Sequence, residues 1–162
     1  FRSSPRVEKT GMKNLDLVFI GPDEGLSSEL RTLASKSGLL PRVHMLGYVP
    51  LEDKASLIKS SLFLTIPSRK EAMSIVALEA GILGRPVLLT DVCGFDEVQR
   101  VSGGLVVEPN VNSFSEGLLK LLDKDNDLDQ MGNNLKNFVR ENYLWSQAAE
   151  KHLEVFKSSI MK

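Results

Sequence analysis

SRKEAMSIVALEAGILGRPVLLTD, Ser68 to Asp91, sets two glutamates eight residues apart around the start of an apolar helix and then runs into a strand pattern at Pro86–Thr90. The run from Ser74 to Leu83 is apolar on nearly every side, which predicts a buried helix with Glu79 as its only charged residue. A carboxylate inside such a helix costs roughly several kcal/mol to bury without a partner. Either Glu79 looks out through a gap in the packing, or something meets it there.

Outward from this stretch, short β-branched runs alternate with helical patterns, the signature of repeated βα units and a mainly parallel sheet. Strands are predicted at Leu15–Ile20, Arg42–Leu46, Leu62–Ile66, Pro86–Thr90 and Leu105–Val107. The first of them reads as central and is followed by Gly21-Pro22-Asp23-Glu24-Gly25 and an amphipathic helix from Leu26 to about Ser37, stopped by Gly38 and Pro41. Another helix follows Pro50, over Leu51–Lys59, and after the fifth strand the pattern is wholly helical: Val111–Asp123, Leu128–Glu141 and Tyr143–Ile160. These features predict a Rossmann-like α/β domain over residues 15–162, with a parallel sheet of about five or six strands, helices on both faces and extra C-terminal helices. Residues 1–14 are polar and irregular, and are expected to be the remnant of an earlier βα unit in a longer protein.

Composition narrows the function classes. The chain has 162 residues, 42% hydrophobic and 25% charged, with a net charge of −1, which is enough for a sizeable core. With no Lys/Arg-rich run there is no electrostatic footprint for nucleic acid or an anionic membrane surface. No apolar stretch approaches the roughly 20 residues that span a bilayer. The one cysteine, Cys93, has no partner for an internal disulfide, which suits a reducing cytosol, and His44 and His152 are too far apart in sequence to suggest a zinc site.

In open α/β sheets ligands sit outside the carboxyl ends of the strands. The loop Pro67–Ser74 follows such an end, and the helix opening near Ser74 offers unpaired N–H groups and partial positive charge to phosphate or sugar hydroxyls. Glu71 stands just before that helix and Glu79 about 7.5 Å along its axis, at roughly 1.5 Å rise per residue. Two carboxylates so spaced suit two separated hydroxyl-bearing groups with phosphates between them.

At this point the chain resembles the C-terminal, donor-binding domain of a glycosyltransferase family 4 (group 1) enzyme with two Rossmann-like domains, the GT-B architecture, from about Leu15 onward. The carrying residues are Glu71 and Glu79 in PSRKEAMSIVALEA, Gly84-Arg85-Pro86-Val87 and Thr90-Asp91, with weaker support from Gly47-Tyr48-Val49, Gly104–Pro109, Met131-Gly132 and Tyr143-Leu144-Trp145. The resemblance implies a retaining, hexosyl-type transferase that uses a UDP-, GDP- or ADP-sugar as substrate, with no covalent cofactor and no protein-bound metal. It implies that Glu71 contacts the donor sugar as the candidate catalytic residue, that Glu79 holds the nucleotide ribose, and that backbone amides of Ala72, Met73 and Ser74 face the sugar and diphosphate. Gly47, Tyr48 and Val49 would lie near the base, with Gly21 in the same set. The implied partner is an N-terminal acceptor domain, without which the fragment is expected to be inactive. The implied location is cytoplasmic, with the full-length protein at the inner membrane face.

Two departures stand out. Ala72-Met73-Ser74 replaces the Gly-Phe-Gly of many relatives, and Arg2, Arg6, Lys9 and Lys13 give no match to the family's diphosphate-binding Arg and Lys. Plainer readings stand beside the functional ones: Glu79 as a solvent-facing helix residue, Arg69 and Lys70 as solvated loop charges, and Ser74 as an N-cap, a sugar contact or both. His44 reads as structural, His152 as a surface residue, Cys93 as a buried thiol, and Asp96 and Glu97 as first-turn charges of a short helix. The cluster Leu118, Leu119, Leu121 and Leu122 reads as core. Base, sugar, acceptor and linkage are written in no single residue. A nucleotide-sugar epimerase of the same architecture and a noncatalytic interaction module are the alternatives.

Overall fold

The computed structural model describes residues 15–123 and 127–144, with 147, 149, 153, 156 and 157. Readings placed on residues 1–14, on Trp145 and His152, and on most of the terminal helix expected over Tyr143–Ile160 lie outside them. The chain falls into two compact units, residues 1–56 and 57–162.

In the first unit β1 (Leu17–Phe19) lies parallel to β2 (Val43–Met45), with Leu17 opposite Val43 and Phe19 opposite Met45. Helix α1 (Ser27–Lys36) joins them, followed by a 3-10 turn at Leu40–Arg42. Asp23 organises the start of α1: its Oδ1 accepts from the Gly25 amide at 2.9 Å and the Ser27 amide at 3.2 Å, and the Ser27 hydroxyl donates to Oδ2. The sequence reads β1 as central, yet Leu17, Val18 and Phe19 are 38–47% exposed. Successive strand residues point to opposite faces, so neither face of β1 is fully covered. His44 is likewise exposed, with Nε2 3.4 Å from Asp16 Oδ1. Helix α2 (Leu51–Ser60) leads from the first unit into the second.

The second unit is built on β3 (Leu64–Ile66), β4 (Val87–Thr90) and β5 (Gly104–Val107), parallel and in that order. α3 (Ile75–Ile82) crosses from β3 to β4, and the short α4 (Glu97–Arg100) from β4 to β5. α5 (Val111–Leu121) and α6 (Leu128–Asn142) follow, each opened by a side-chain cap: Asn110 accepts from the Ser113 amide and Asp127 from the Gln130 amide, both at 2.9 Å. The apolar run Val87-Leu88-Leu89 of β4 has the composition of a strand covered on both faces, and every β4 residue, Thr90 included, is buried. Val87 and Leu89 join Ala77 and Ala80 of α3 and Leu135 and Val139 of α6 in one core. Leu88 points the other way, where Gly117 of α5 lies against it. The alternation makes β4 the shared middle of a three-layer, Rossmann-like sandwich.

Where a sheet of five or six strands was predicted, the described strands form one ladder of two and one of three. Strand-like runs were identifiable in the sequence, but pairing between distant runs depends on packing that local patterns do not carry. The bounds of the elements are otherwise close to those read from the sequence. Leu121 and Leu122 are buried and Leu118 and Leu119 half-buried, as expected. Phe95, Phe138 and Tyr143 form an aromatic cluster with ring centroids 5.5–6.3 Å apart. Burial, then the charge of Glu97, pushes the Tyr143 phenol above its ordinary pKa.

Helix α3 corrects one reading. It is not buried all round: Ala77, Ala80 and Gly81 face the core, whereas Ile75 is 69% and Val76 40% exposed. The helix packs along one stripe only, so the Ile75 and Val76 side of its opening turn is uncovered. No described helix is long and apolar enough to cross a membrane.

Candidate functional site

The residues singled out in the sequence fall into two groups, one in each unit. In the first unit Gly21 and Gly47 meet at the carboxyl ends of β1 and β2, where the Gly21 amide donates to the Gly47 carbonyl at 2.9 Å. Parallel pairing brings those ends to one edge, so two loops distant in sequence become neighbours. Tyr48 follows with 83% of its surface open, and Val49 is half-buried.

The second unit holds the carboxylate pair. The loop leaving β3 passes through Ser68, the exposed Arg69 and Lys70, and Glu71 before reaching α3. Glu71 is half-buried, and its Oε2 is shut from solvent with no hydrogen-bond partner. Ser74 occupies the N-cap position of α3 with extended backbone angles, but its side chain makes no capping bond. Instead the residue is 1% exposed and its Oγ also has no partner. Such buried polar atoms are infrequent in folded proteins and each calls for an explanation. Ser74 stands where the first amides of an α-helix have no intrahelical acceptor, and Glu71 three residues before it in the loop. Glu79 sits further along α3, half-buried.

The expected cradle of three amides is corrected at one position. The Ser74 amide donates to the Cys93 carbonyl at 3.1 Å, so it is committed within the fold. Its partner is nineteen residues further along the chain, on the loop after β4, and no local pattern reveals it. Ala72 is exposed and Met73 packs against the core, leaving the hydroxyl of Ser74 as the group it can offer. Cys93 is fully buried.

The half-buried Glu71 carboxylate can accept hydrogen bonds from hydroxyls, and the first turn of α3 can donate to anionic oxygens, with the Ser74 hydroxyl shut from solvent at the N-cap between them in sequence. Among the described residues no group of three or more His, Cys, Asp or Glu is placed to hold a metal ion.

With the geometry in view, the comparisons with known proteins are specific. The sequence matches the family profile of glycosyl transferases group 1 over residues 3–138. It is similar to an uncharacterized glycosyltransferase of Methanocaldococcus jannaschii, 32% identical over 161 residues that cover 98% of this chain and 40% of that protein. It is also similar to the D-inositol 3-phosphate glycosyltransferase of Corynebacterium diphtheriae, 27% identical over 160 residues, 96% of this chain and 37% of that protein. Anabaena Alr3699/HepE, solved in complex with UDP, has the same fold, with a TM-score of 0.78 over 98% of this chain and 47% of its own, at 17% identity. The fold is accordingly that of one half of a GT-B glycosyltransferase, and the chain spans 40% or less of these two curated relatives. The chain belongs to the glycosyl transferases group 1 family.

Proposed function

We propose that this chain is the nucleotide-sugar-binding half of a retaining glycosyltransferase, which moves a hexosyl group from an NDP-sugar to an acceptor hydroxyl held by a separate N-terminal domain. The observation that carries the reading is the pair of buried, unpartnered oxygens, Glu71 Oε2 and Ser74 Oγ, at the uncapped start of α3. Donor hydroxyls would satisfy the first, and phosphate or sugar oxygens the second. Family membership supports glycosyl transfer as the reaction class. The UDP complex of the Anabaena protein makes a nucleoside diphosphate the ligand to test first.

In this reading Glu71 orients the sugar and Glu79 the ribose, and neither removes a proton. The open first turn of α3 stabilises charge developing on the departing diphosphate while the acceptor hydroxyl attacks the anomeric carbon. The helix dipole needs no reorganisation as that charge builds up, because its amides are fixed beforehand. Holding the donor in one pose supplies a further part of the barrier reduction. The chain on its own binds donor without turning it over, since the acceptor is bound elsewhere.

The test is titration of the full-length protein with UDP, GDP and ADP, wild type beside Glu79→Ala. A hydrogen bond to a charged group is worth about 2 kcal/mol, so losing the ribose contact should raise the Kd of the preferred nucleotide roughly thirtyfold. The kcat at saturating donor should change much less. Equal affinity in the two proteins removes Glu79 from the site, and absence of binding by all three nucleotides removes the reading itself.

A further inference from the structure

The loop that carries Glu71 is fastened to the end of β4 and the residues just after it at three points. Near its start the Thr90 hydroxyl donates to the Ser68 carbonyl at 2.6 Å. At its end the Ser74 amide donates to the Cys93 carbonyl. Cys93 Sγ lies 3.4 Å from Thr90 Oγ1 and 3.9 Å from the Ile66 carbonyl. The single hydroxyl proton of Thr90 is spent on Ser68, and the one thiol proton of Cys93 has two acceptors in reach, Thr90 Oγ1 and the Ile66 carbonyl. In the middle the backbone of Gly94 lies directly against the Ala72 carbonyl: a Cβ on Gly94 would fall well inside contact distance of that oxygen. Gly94 also has φ +62°, a left-handed conformation open to glycine at little cost. Thr90 is 1% exposed, which protects its bond from competing water.

We propose that Thr90 and Gly94 are positioning residues which hold the loop Ser68–Ser74, and with it the Glu71 carboxylate, in its ligand-ready place without touching ligand themselves. The proposal rests on the nucleotide-sugar reading for its functional consequence, while the strap itself is a property of the fold. Thr90 terminates the fully buried strand β4, so the strap ties the loop to that strand at Ser68, and the residues after the strand hold it again at Ala72 and Ser74. A loop anchored in this way loses less entropy when ligand binds.

The test uses the full-length protein with Thr90→Val, which keeps the shape and removes the hydroxyl, Thr90→Ser, which restores it, and Gly94→Ala. Hydrogen exchange is read on peptides covering residues 68–74 and, as a reference, on α6. UDP, GDP and ADP affinities are measured in parallel. In Thr90→Val the loop amides should exchange about fivefold faster or more, with α6 unchanged, because one buried bond is lost. The Kd of whichever nucleotide binds the wild type should rise by about the same factor, and Thr90→Ser should return both values toward wild type.

Loop exchange identical to wild type in Thr90→Val overturns the strap. Faster loop exchange with unchanged nucleotide affinity overturns its role in positioning. Should Thr90→Val speed exchange everywhere, Gly94→Ala decides by the same readings, since Gly94 is outside the core. Should the wild type bind none of the three nucleotides, the donor reading fails, whereas the exchange data still support or overturn the strap.

Discussion

Asp23 shows what a carboxylate does when the fold supplies its partners. The Ser27 hydroxyl, then the amides of Gly25 and Ser27, hold its pKa below the ordinary aspartate value. A depressed carboxylate stabilises the folded state above its unfolded pKa of about 4, and that contribution is lost as the pH falls through the lower, folded value. Carboxyl NMR of Asp23 should therefore show titration below about pH 4, and the Ser27 amide resonance should move with it. Titration at or above that value would contradict the turn described here. Glu71 lacks such a set of partners: its Oε2 makes no hydrogen bond within the fold. The distinction was partly visible in sequence: Asp23 stands two residues before a glycine and four before a serine, a local arrangement for such a turn. The eight-residue spacing of Glu71 and Glu79 was equally legible. What sequence could not give was the commitment of the Ser74 amide, because the residue that accepts from it is brought near only by the sheet.

Among the elements, α3 and α6 are packed by small residues. Gly132 of α6 lies against the backbone of the turn after α3, and a Cβ there would collide with the Gly84 carbonyl. Gly81 of α3 faces Leu135 and Val139 in the same way. The obstacle at Gly132 is backbone and not a movable side chain, so Gly132→Ala should destabilise by about 1–3 kcal/mol. Denaturant unfolding would show this as a lower midpoint at constant slope; an unchanged midpoint would mean that the helices separate without penalty. The Met131-Gly132 pair was noticed in the sequence for its resemblance to a family, and the structure supplies its physical reason. Helix limits were readable because capping residues and breakers punctuate a periodic pattern. The uncovered opening of α3 was not, since Ile75 and Val76 have the same apolar character as the buried Ala77 and Ala80.

At the scale of the molecule the two units differ in how much they bury. Val87, Leu88 and Leu89 of the second unit have no exposed surface, whereas Ala34 is the one buried hydrophobic residue among the described residues of the first. Hydrogen exchange should follow this difference, slowest at β4 and α6 and fastest at β1 and β2. Equal protection of β1 and β4 would show that exposure in the first unit is not a measure of its stability. The α/β class could be read from the order of strand and helix patterns, and the parallel direction of the strands from the helices between them. The division into two ladders could not, because it depends on which distant strands find one another.

The alternation of β4 between two helical layers has a consequence for how such a chain diverges. Leu88 and Gly117 occupy one contact from opposite elements, so enlargement at either position demands a compensating change at the other, and the pair drifts together or not at all. The loops at the carboxyl edge carry no such obligation except where Gly94 meets Ala72. Loop positions at that edge are thus free to change a few at a time, while the layered interior is inherited almost as a single character.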